Sequence, residues 1–235
     1  MCAQPLCVPP FHELDEPTDF YLVRHGESES NAGGRIQGHT DSPLSETGRA
    51  HAQAAGRWFA DRGVDALLTS PLSRAVETAR EIARHCGCSA PEPLDELIEL
   101  DTGIYSGLDF RKLYDFDPQL HREFRVHSWE VVPKAERIDS LRNRAHRAWM
   151  HLLEHARHGR RRIVSVTHGG TIQWLIKATV GADNQRWMPL FRASNCGIFL
   201  FRVESTLTRD ERRTTNPQPG TGFYGVWDLV NRVPY

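Results

Sequence analysis

Apolar positions fall in two rhythms along this chain. Short unbroken runs at 20–23, 66–68 and 163–166 read as buried strands. Between them the spacing changes to i, i+3, i+4, i+7. It predicts a helix over 45–62 with Ala50, Ala54, Trp58 and Phe59 toward the core and Gly63 just beyond its end. A second helix is capped by Ser70, has Pro71 in its first turn, and lines up Leu72, Ala75, Val76, Ala79, Ile82 and Ala83. Helical spacing returns at Leu141, Ala145, Ala148, Trp149, Leu152, Leu153 and Ala156, and again after Gly170 with Ile172, Leu175 and Ile176. Strands are expected at 160–167, 197–203 and 225–230. Three stretches lack either rhythm: a proline-rich leader over 1–18, extended on the surface; a charged insertion over 108–139, with some helix, folding as a lid; and an exposed loop over 205–221. The alternation implies an α/β fold: a three-layer sandwich with a mostly parallel central sheet, helices on both faces, and one domain over 19–235.

Each apolar run ends in residues that can handle phosphate. The first leads into Arg24-His25-Gly26, the second into Thr69-Ser70-Pro71-Leu72-Ser73-Arg74, and the third into Thr167-His168-Gly169-Gly170. Ligand sites in open α/β sheets lie outside the carboxyl ends of the strands. If the three are parallel neighbours, two arginines and two histidines converge on one point, an anion pocket beside a nucleophile. Histidine has an ordinary pKa of about 6.5 and can form covalent intermediates. Gly26 beside His25 leaves room for close approach of the backbone and for a phosphoryl group. Arg74, in the first turn of its helix, faces the positive end of the macrodipole, and a bound anion would remove that conflict.

Composition narrows the partners. The 235 residues carry a net charge of −1, so no global basic field favours nucleic acid or a membrane surface. Attraction for an anionic substrate has to be local. Five cysteines, an odd number with no C-x₂-C spacing, suggest neither a disulfide framework nor a zinc site. Cys86 and Cys88 read as small residues at a helix end, with a metal clip or mutual oxidation as the lesser alternatives. No run reaches the ~20 apolar residues of a membrane span, and the N-terminus lacks signal-peptide features, so a cytoplasmic setting is expected. Nothing in the chain signals an oligomeric state.

Further motifs follow in order: Glu27-Ser28, Asn31, Arg35-Ile36-Gln37-Gly38, Asp41-Ser42-Pro43-Leu44-Ser45-Glu46-Thr47-Gly48, Ser70 to Ala79, Glu99 with Gly103 and Gly107 four and eight positions on, Asn195, and 227–231. With Arg24-His25-Gly26 and Thr167-His168-Gly169 they resemble the histidine phosphatase superfamily, the phosphoglycerate-mutase-like proteins, over about 19–203 plus the final strand. The resemblance implies that His25 is the phosphorylated nucleophile. Arg24, Arg74 and His168 would clamp the phosphoryl oxygens, with Asn31 and a backbone N–H near Gly169 assisting. Gln37, Gly38 and Tyr105 are further candidates for substrate contact. Glu99 would protonate the leaving oxygen and then activate water, with Asp95, Glu96 and Asp101 as alternative carboxylates nearby. Two positions depart from the family pattern: Ser30, where a bulkier residue is frequent, and Tyr105, where Trp is common. Both bear on specificity rather than chemistry. The separation of 69 positions from Glu99 to His168, and the Arg35-x-Gln37-Gly38 stretch, are similar to the compact phosphatase branch. The expectation is hydrolysis of a small phosphate monoester with no cofactor and no metal. A phosphoglycerate mutase using 2,3-bisphosphoglycerate is the alternative, and a non-catalytic phospho-ligand-binding protein is the third reading.

Overall fold

The three apolar runs lie side by side in one sheet. The structure, a computed structural model, describes residues 8–182, 191–205 and 223–235. Its strands are β1 (Thr18–Arg24), β2 (Ala66–Thr69), β3 (Glu92–Pro93), β4 (Arg162–Thr167), β5 (Ile198–Ser205) and β6 (Phe223–Arg232), ordered β3-β2-β4-β1-β5-β6. β1, β4, β2 and β3 run parallel, while β5 and β6 join antiparallel. Arg24 pairs with Thr167 and Val166 with Thr69, so the carboxyl ends of β1, β4 and β2 finish level with one another. That register delivers the three motifs to one edge.

Side chains that alternate along a strand feed two cores. On one face Tyr21, Val23, Leu67, Val164 and Val166 pack under α2 (Glu46–Ala60) and α3 (Ser73–Cys86). On the other, Phe20, Leu22, Leu68 and Ile163 pack under α6 (Ile138–Arg157) and α7 (Gly169–Thr179). A strand buried on both faces needs apolar residues at every position, which is why these strands read as unbroken runs. The short helices α1 (Glu29–Ala32), α4 (Leu113–Phe116) and α5 (Pro118–His127) belong to the loops above the carboxyl edge.

Several local expectations are corrected. Ala50 is exposed and Trp58 half-buried, while Ala54 and Phe59 are buried as expected; the buried stripe of α2 also runs through Gly48, Ala52, Ala55 and Gly56. Two glycines on that stripe let backbones close up, since a Cβ at Gly48 would lie 1.9 Å from the Glu27 carbonyl oxygen. α3 starts at Ser73 after Leu72, with no side-chain cap, so Ser70 is not its N-cap. The leader is not merely draped over the surface. A 3₁₀ turn at Phe11–Glu13 buries Phe11 and Leu14, and the Phe11 ring sits 4.7 Å from Phe201 and 5.1 Å from Trp149. Full burial of one such side chain is worth about 1.5–3 kcal/mol. Residues 1–7, and the expected loop beyond Ser205, lie outside the described residues.

The insertion over 108–139 has a small core of its own. Tyr105, Leu113, Val132 and Ala135 are buried there, with Phe124 and Trp129 packed against them. Cys86 and Cys88 are free thiols, 2.9 Å apart at the end of α3. Among the described residues no helix is long and apolar enough to cross a membrane.

Candidate active site

His25 leaves β1 with its backbone fixed on both sides. Its N–H donates to Thr167 O at 2.9 Å, and its carbonyl accepts from Cys196 N and Asn195 Nδ2, both at 3.2 Å. The ring Nδ1 lies 2.6 Å from Gly26 O. A carbonyl only accepts, so Nδ1 carries the proton and Nε2 keeps a lone pair. Burial first, then the Arg24 and Arg74 guanidiniums, push the His25 pKa well below its ordinary value. The imidazole is therefore neutral at pH 7. Gly26 N donates to Thr78 Oγ1, whose hydroxyl donates to Arg74 O. A Cβ at Gly26 would sit 2.6 Å from Gly48 O, so glycine is required there by backbone packing rather than by room for a phosphoryl group.

Arg74 is buried, Arg24 is half-buried with its Nε covered, and both are incompletely paired. Arg74 is 1% exposed; Nη2 donates to Gly38 O at 2.9 Å and Nη1 to Thr40 O at 3.0 Å. Arg24 Nη1 donates to Ala193 O at 2.6 Å. The Nε–H of each is buried with no protein partner among the described residues. Desolvation lowers both guanidinium pKa values, and the Glu99 charge works against it. Buried charge without a counter-ion is costly, so the arrangement is built to receive an anion. Gly38 serves this indirectly. Its φ is +52°, and a Cβ there would lie 2.5 Å from Thr102 Oγ1, so glycine brings its carbonyl under Arg74.

His168 ends β4, fully buried, its ring centroid 5.0 Å from that of His25. Its Nε2 lies 2.7 Å from Ser70 Oγ, and its Nδ1 has no protein partner among the described residues. The hydroxyl that looked like a helix cap thus positions the second histidine. Burial, then His25 and the arginines, lower the His168 pKa well below its ordinary value. α7 begins one residue later. Its first N–H, Gly169, has no intrahelical acceptor, and Gly169 lines the cavity.

Glu99 is held at the N-terminus of α7. Oε1 accepts from Leu100 N (2.9 Å) and Thr171 N (3.1 Å), and Oε2 from Gly170 N (3.3 Å). A Cβ at Gly170 would meet Oε1 at 2.6 Å, so the second glycine of the Gly-Gly pair makes space for this carboxylate. The chain leading to Glu99 is fixed carbonyl by carbonyl. Arg144 Nη1 binds Glu96 O and Ile98 O, Thr167 Oγ1 binds Leu97 O, Thr171 Oγ1 binds Ile98 O, and His39 Nε2 binds Glu99 O. Arg144 is itself paired with Glu136 at 2.7 Å. The alternative carboxylates are occupied elsewhere or absent from the wall: Glu96 pairs with Arg147, Asp101 accepts from Gly103 N, and Asp95 does not line the cavity.

Arg24, His25, Arg74, Glu99, Gly169 and Gly170 line a cavity of about 630 Å³, in which Glu99 is the one carboxylate among the described lining residues; His168 is buried beside His25 and does not reach the wall. Asn31 and Gln37 line it as well. Asn31 Oδ1 accepts from Ser28 N and Asn195 Nδ2, which leaves its amide nitrogen as the group free to meet a ligand; Gln37 Oε1 accepts from Ser28 Oγ. Tyr105 stands apart. It is fully buried in the insertion's core, with Phe124 and Trp129 between it and the cavity, and Ser30 does not line the wall either. Sequence reasoning missed Ser70 and Thr78 as supports, Gly170, and the wall residues Phe191 and Ala193. Thr78 did leave a signal, being a polar residue one turn after Arg74 on the buried face of α3. Among the described residues no group of three or more His, Cys, Asp or Glu could hold a metal ion.

The model of the histidine phosphatase superfamily (branch 1) matches residues 20–212, and the chain belongs to that superfamily. It is an enzyme of the histidine phosphatase type, in a family that acts on small phosphate esters. It is 34% identical over 179 residues to "Probable phosphoglycerate mutase GpmB" of Klebsiella pneumoniae (strain 342), covering 76% of this chain and 81% of that protein. It is likewise 34% identical over 161 residues to "Metal-independent phosphoserine phosphatase" of Arabidopsis thaliana, 67% of each chain. A mycobacterial glucosyl-3-phosphoglycerate phosphatase, solved with VO3, shares the fold at TM-score 0.71 and 22% identity, over 91% of this chain and 99% of that one. Phosphatases thus stand among both its relatives and its structural neighbours.

Proposed function

We propose that the protein hydrolyses a phosphate monoester through a phosphohistidine at His25 Nε2, with Glu99 as general acid and then general base. One observation carries this reading: a buried, neutral His25 with Nδ1 tied to Gly26 O lies beside two guanidiniums whose buried Nε–H groups lack partners among the described residues. The phosphoryl group binds Arg24, Arg74 and His168, with Asn31 and Gly169 N–H assisting. Nε2 attacks phosphorus, the P–O bond to the alcohol breaks, and the Glu99 carboxyl passes its proton to the departing oxygen. Water then attacks the phosphohistidine, Glu99 takes up a proton from that water, the P–N bond breaks, and inorganic phosphate leaves. Negative charge spread over three phosphoryl oxygens is met by preorganised donors, each worth about 10²–10³-fold in rate in comparable sites. The arginines supply the positive charge, so activity is expected without metal or organic cofactor, and a chelator should leave the rate intact. A cytoplasmic setting goes with this reading, since five cysteines, an odd number with no C-x₂-C spacing, suggest no disulfide framework.

Hydrolysis is favoured over mutase chemistry by the openness of the site. A mutase must keep water from the phosphohistidine while its product turns over. Here Phe110, on the cavity wall, is 60% exposed, and about 630 Å³ leaves space for water beside a small ester. The test is product stoichiometry. One phosphate should appear per alcohol released from a primary alkyl phosphate. Isomerisation of 3-phosphoglycerate with catalytic 2,3-bisphosphoglycerate, without equivalent phosphate release, would overturn the assignment.

A further inference from the structure

The inner end of the cavity is polar, but its outer wall is not. Phe110, Phe124 and Trp129 come from the insertion, Ile36 and Leu100 from the loops below it, and Phe191 from the segment before β5. The aromatic part is preassembled: the Phe124 and Trp129 rings lie 4.9 Å apart at 67°, and Tyr105 backs Phe124 at 5.5 Å. Apart from the Trp129 indole N–H and, elsewhere on the wall, Thr102 and Gln173, such a wall offers few partners to the hydroxyl or amino groups of a compact polar alcohol, whose desolvation would go largely uncompensated. It suits a body that is itself apolar. Beyond it stand three exposed arginines, Arg35, Arg125 and Arg192. Arg35 is anchored to Gly107 O at 3.0 Å. Arg125 and Arg192 have no hydrogen-bond or ion-pair partner among the described residues. Within the insertion Asp109 is paired with Arg111 and Glu130 with Arg137. Arg125 and Arg192 thus line the cavity with no carboxylate paired to them among the described residues.

We infer that the substrates are phosphate esters of elongated, largely apolar or aromatic alcohols carrying a second anionic group at the far end. The phosphate occupies Arg24 and Arg74, the apolar body spans Phe110, Phe124 and Trp129, and the distal anion meets Arg125 and Arg192. This rests on the hydrolase reading of the same site, but it can be tested without turnover.

Three non-hydrolysable phosphonates separate the parts: 3,4-dihydroxybutylphosphonate, 3-phenylpropylphosphonate, and the latter with a para-carboxylate on its ring. Calorimetric Kd values for the full chain should improve about tenfold from the diol to the phenyl compound. The carboxylate should add about a further fivefold, shrinking as salt is raised. In Phe110→Ala the first ratio should drop below threefold; in the Arg125→Ala/Arg192→Ala double variant the carboxylate gain should vanish. Phe110 and both arginines are exposed, so these variants are expected to fold. Equal Kd values for all three compounds, tighter binding of the diol, or ratios unmoved by the variants would overturn the inference. Chemistry is judged separately: the predicted Kd pattern with no hydrolysis of the matching phosphate esters would refute the hydrolase reading and leave the substrate class standing.

Discussion

Replacing Gly170 with alanine puts a Cβ 2.6 Å from Glu99 Oε1 and 3.2 Å from Leu100 Cδ2. Ordinary contact begins near 3.4 Å, so the carboxylate must retreat by about 0.8 Å. Retreat weakens its bonds from Gly170 N and Thr171 N, the two that aim it at the cavity. A misplacement of about 1 Å in a reacting group costs roughly 10²-fold in rate, or about 2.7 kcal/mol of barrier. Stability should change little. Alanine is favoured over glycine in a helix by about 1 kcal/mol, which offsets the weakened bonds, so Tm should move by less than about 5 °C. The assay compares kcat on a primary alkyl phosphate and on p-nitrophenyl phosphate. With the alkyl ester, kcat should fall about 30–100-fold. The nitrophenolate needs no proton to depart, so that ester should still phosphorylate His25 and give a burst of one nitrophenolate per chain before a slow steady state. Retention of more than a third of wild-type kcat on the alkyl ester would refute the role given to Glu99 and its glycine.

Other consequences are open to equally direct measurement. His25 and His168 titrate well below 6.5 in the folded chain and near 6.5 once unfolded, so the stability their neutral forms contribute is present above about pH 6.5 and lost as pH falls below it. NMR should show neither ring titrating between pH 8 and 6, and the urea midpoint should drop from pH 7 to pH 5; a ring titrating at 6.5 would contradict the site's electrostatics. Ser70→Ala removes the hydroxyl 2.7 Å from His168 Nε2 and should cost about 1 kcal/mol of stability and roughly tenfold in kcat/KM, while a variant indistinguishable from wild type would show that Ser70 does not position the histidine. Phe11→Ala should cost about 3–5 kcal/mol in urea unfolding, because the ring packs on Phe20, Trp149 and Phe201; a loss below 1 kcal/mol would mean that the leader is dispensable.

Much of the fold was legible because its signals are local. Strands covered on both faces yield unbroken apolar runs, and every residue of the 141–156 stripe predicted to face the core is buried on α6. The two-residue β3 and the exact stripe of α2 were not legible, the first because it is too short to show a period, the second because glycines carry much of the contact. In the site, Arg74 was visible through its conflict with the helix dipole. Ser70 was misread because the same hydroxyl suits a cap, and its actual partner is 98 residues away. Gly26 and Gly170 were visible as glycines but not in their roles, which depend on a distant carbonyl and a distant carboxylate. Phe11 was hidden among prolines, and the burial of Tyr105 depends on aromatic neighbours gathered from across the insertion.

The central claim is that His25 Nε2 accepts the phosphoryl group. Rapid mixing with a phosphate monoester, an alkaline quench, and mapping of the trapped adduct by mass spectrometry and nitrogen NMR test it most directly. One phosphoryl group per chain is expected on His25 Nε2, lost in acid, kept in alkali, and absent from His25→Ala together with turnover. A phosphoryl group on Nδ1, on another residue, or full turnover by His25→Ala would contradict it.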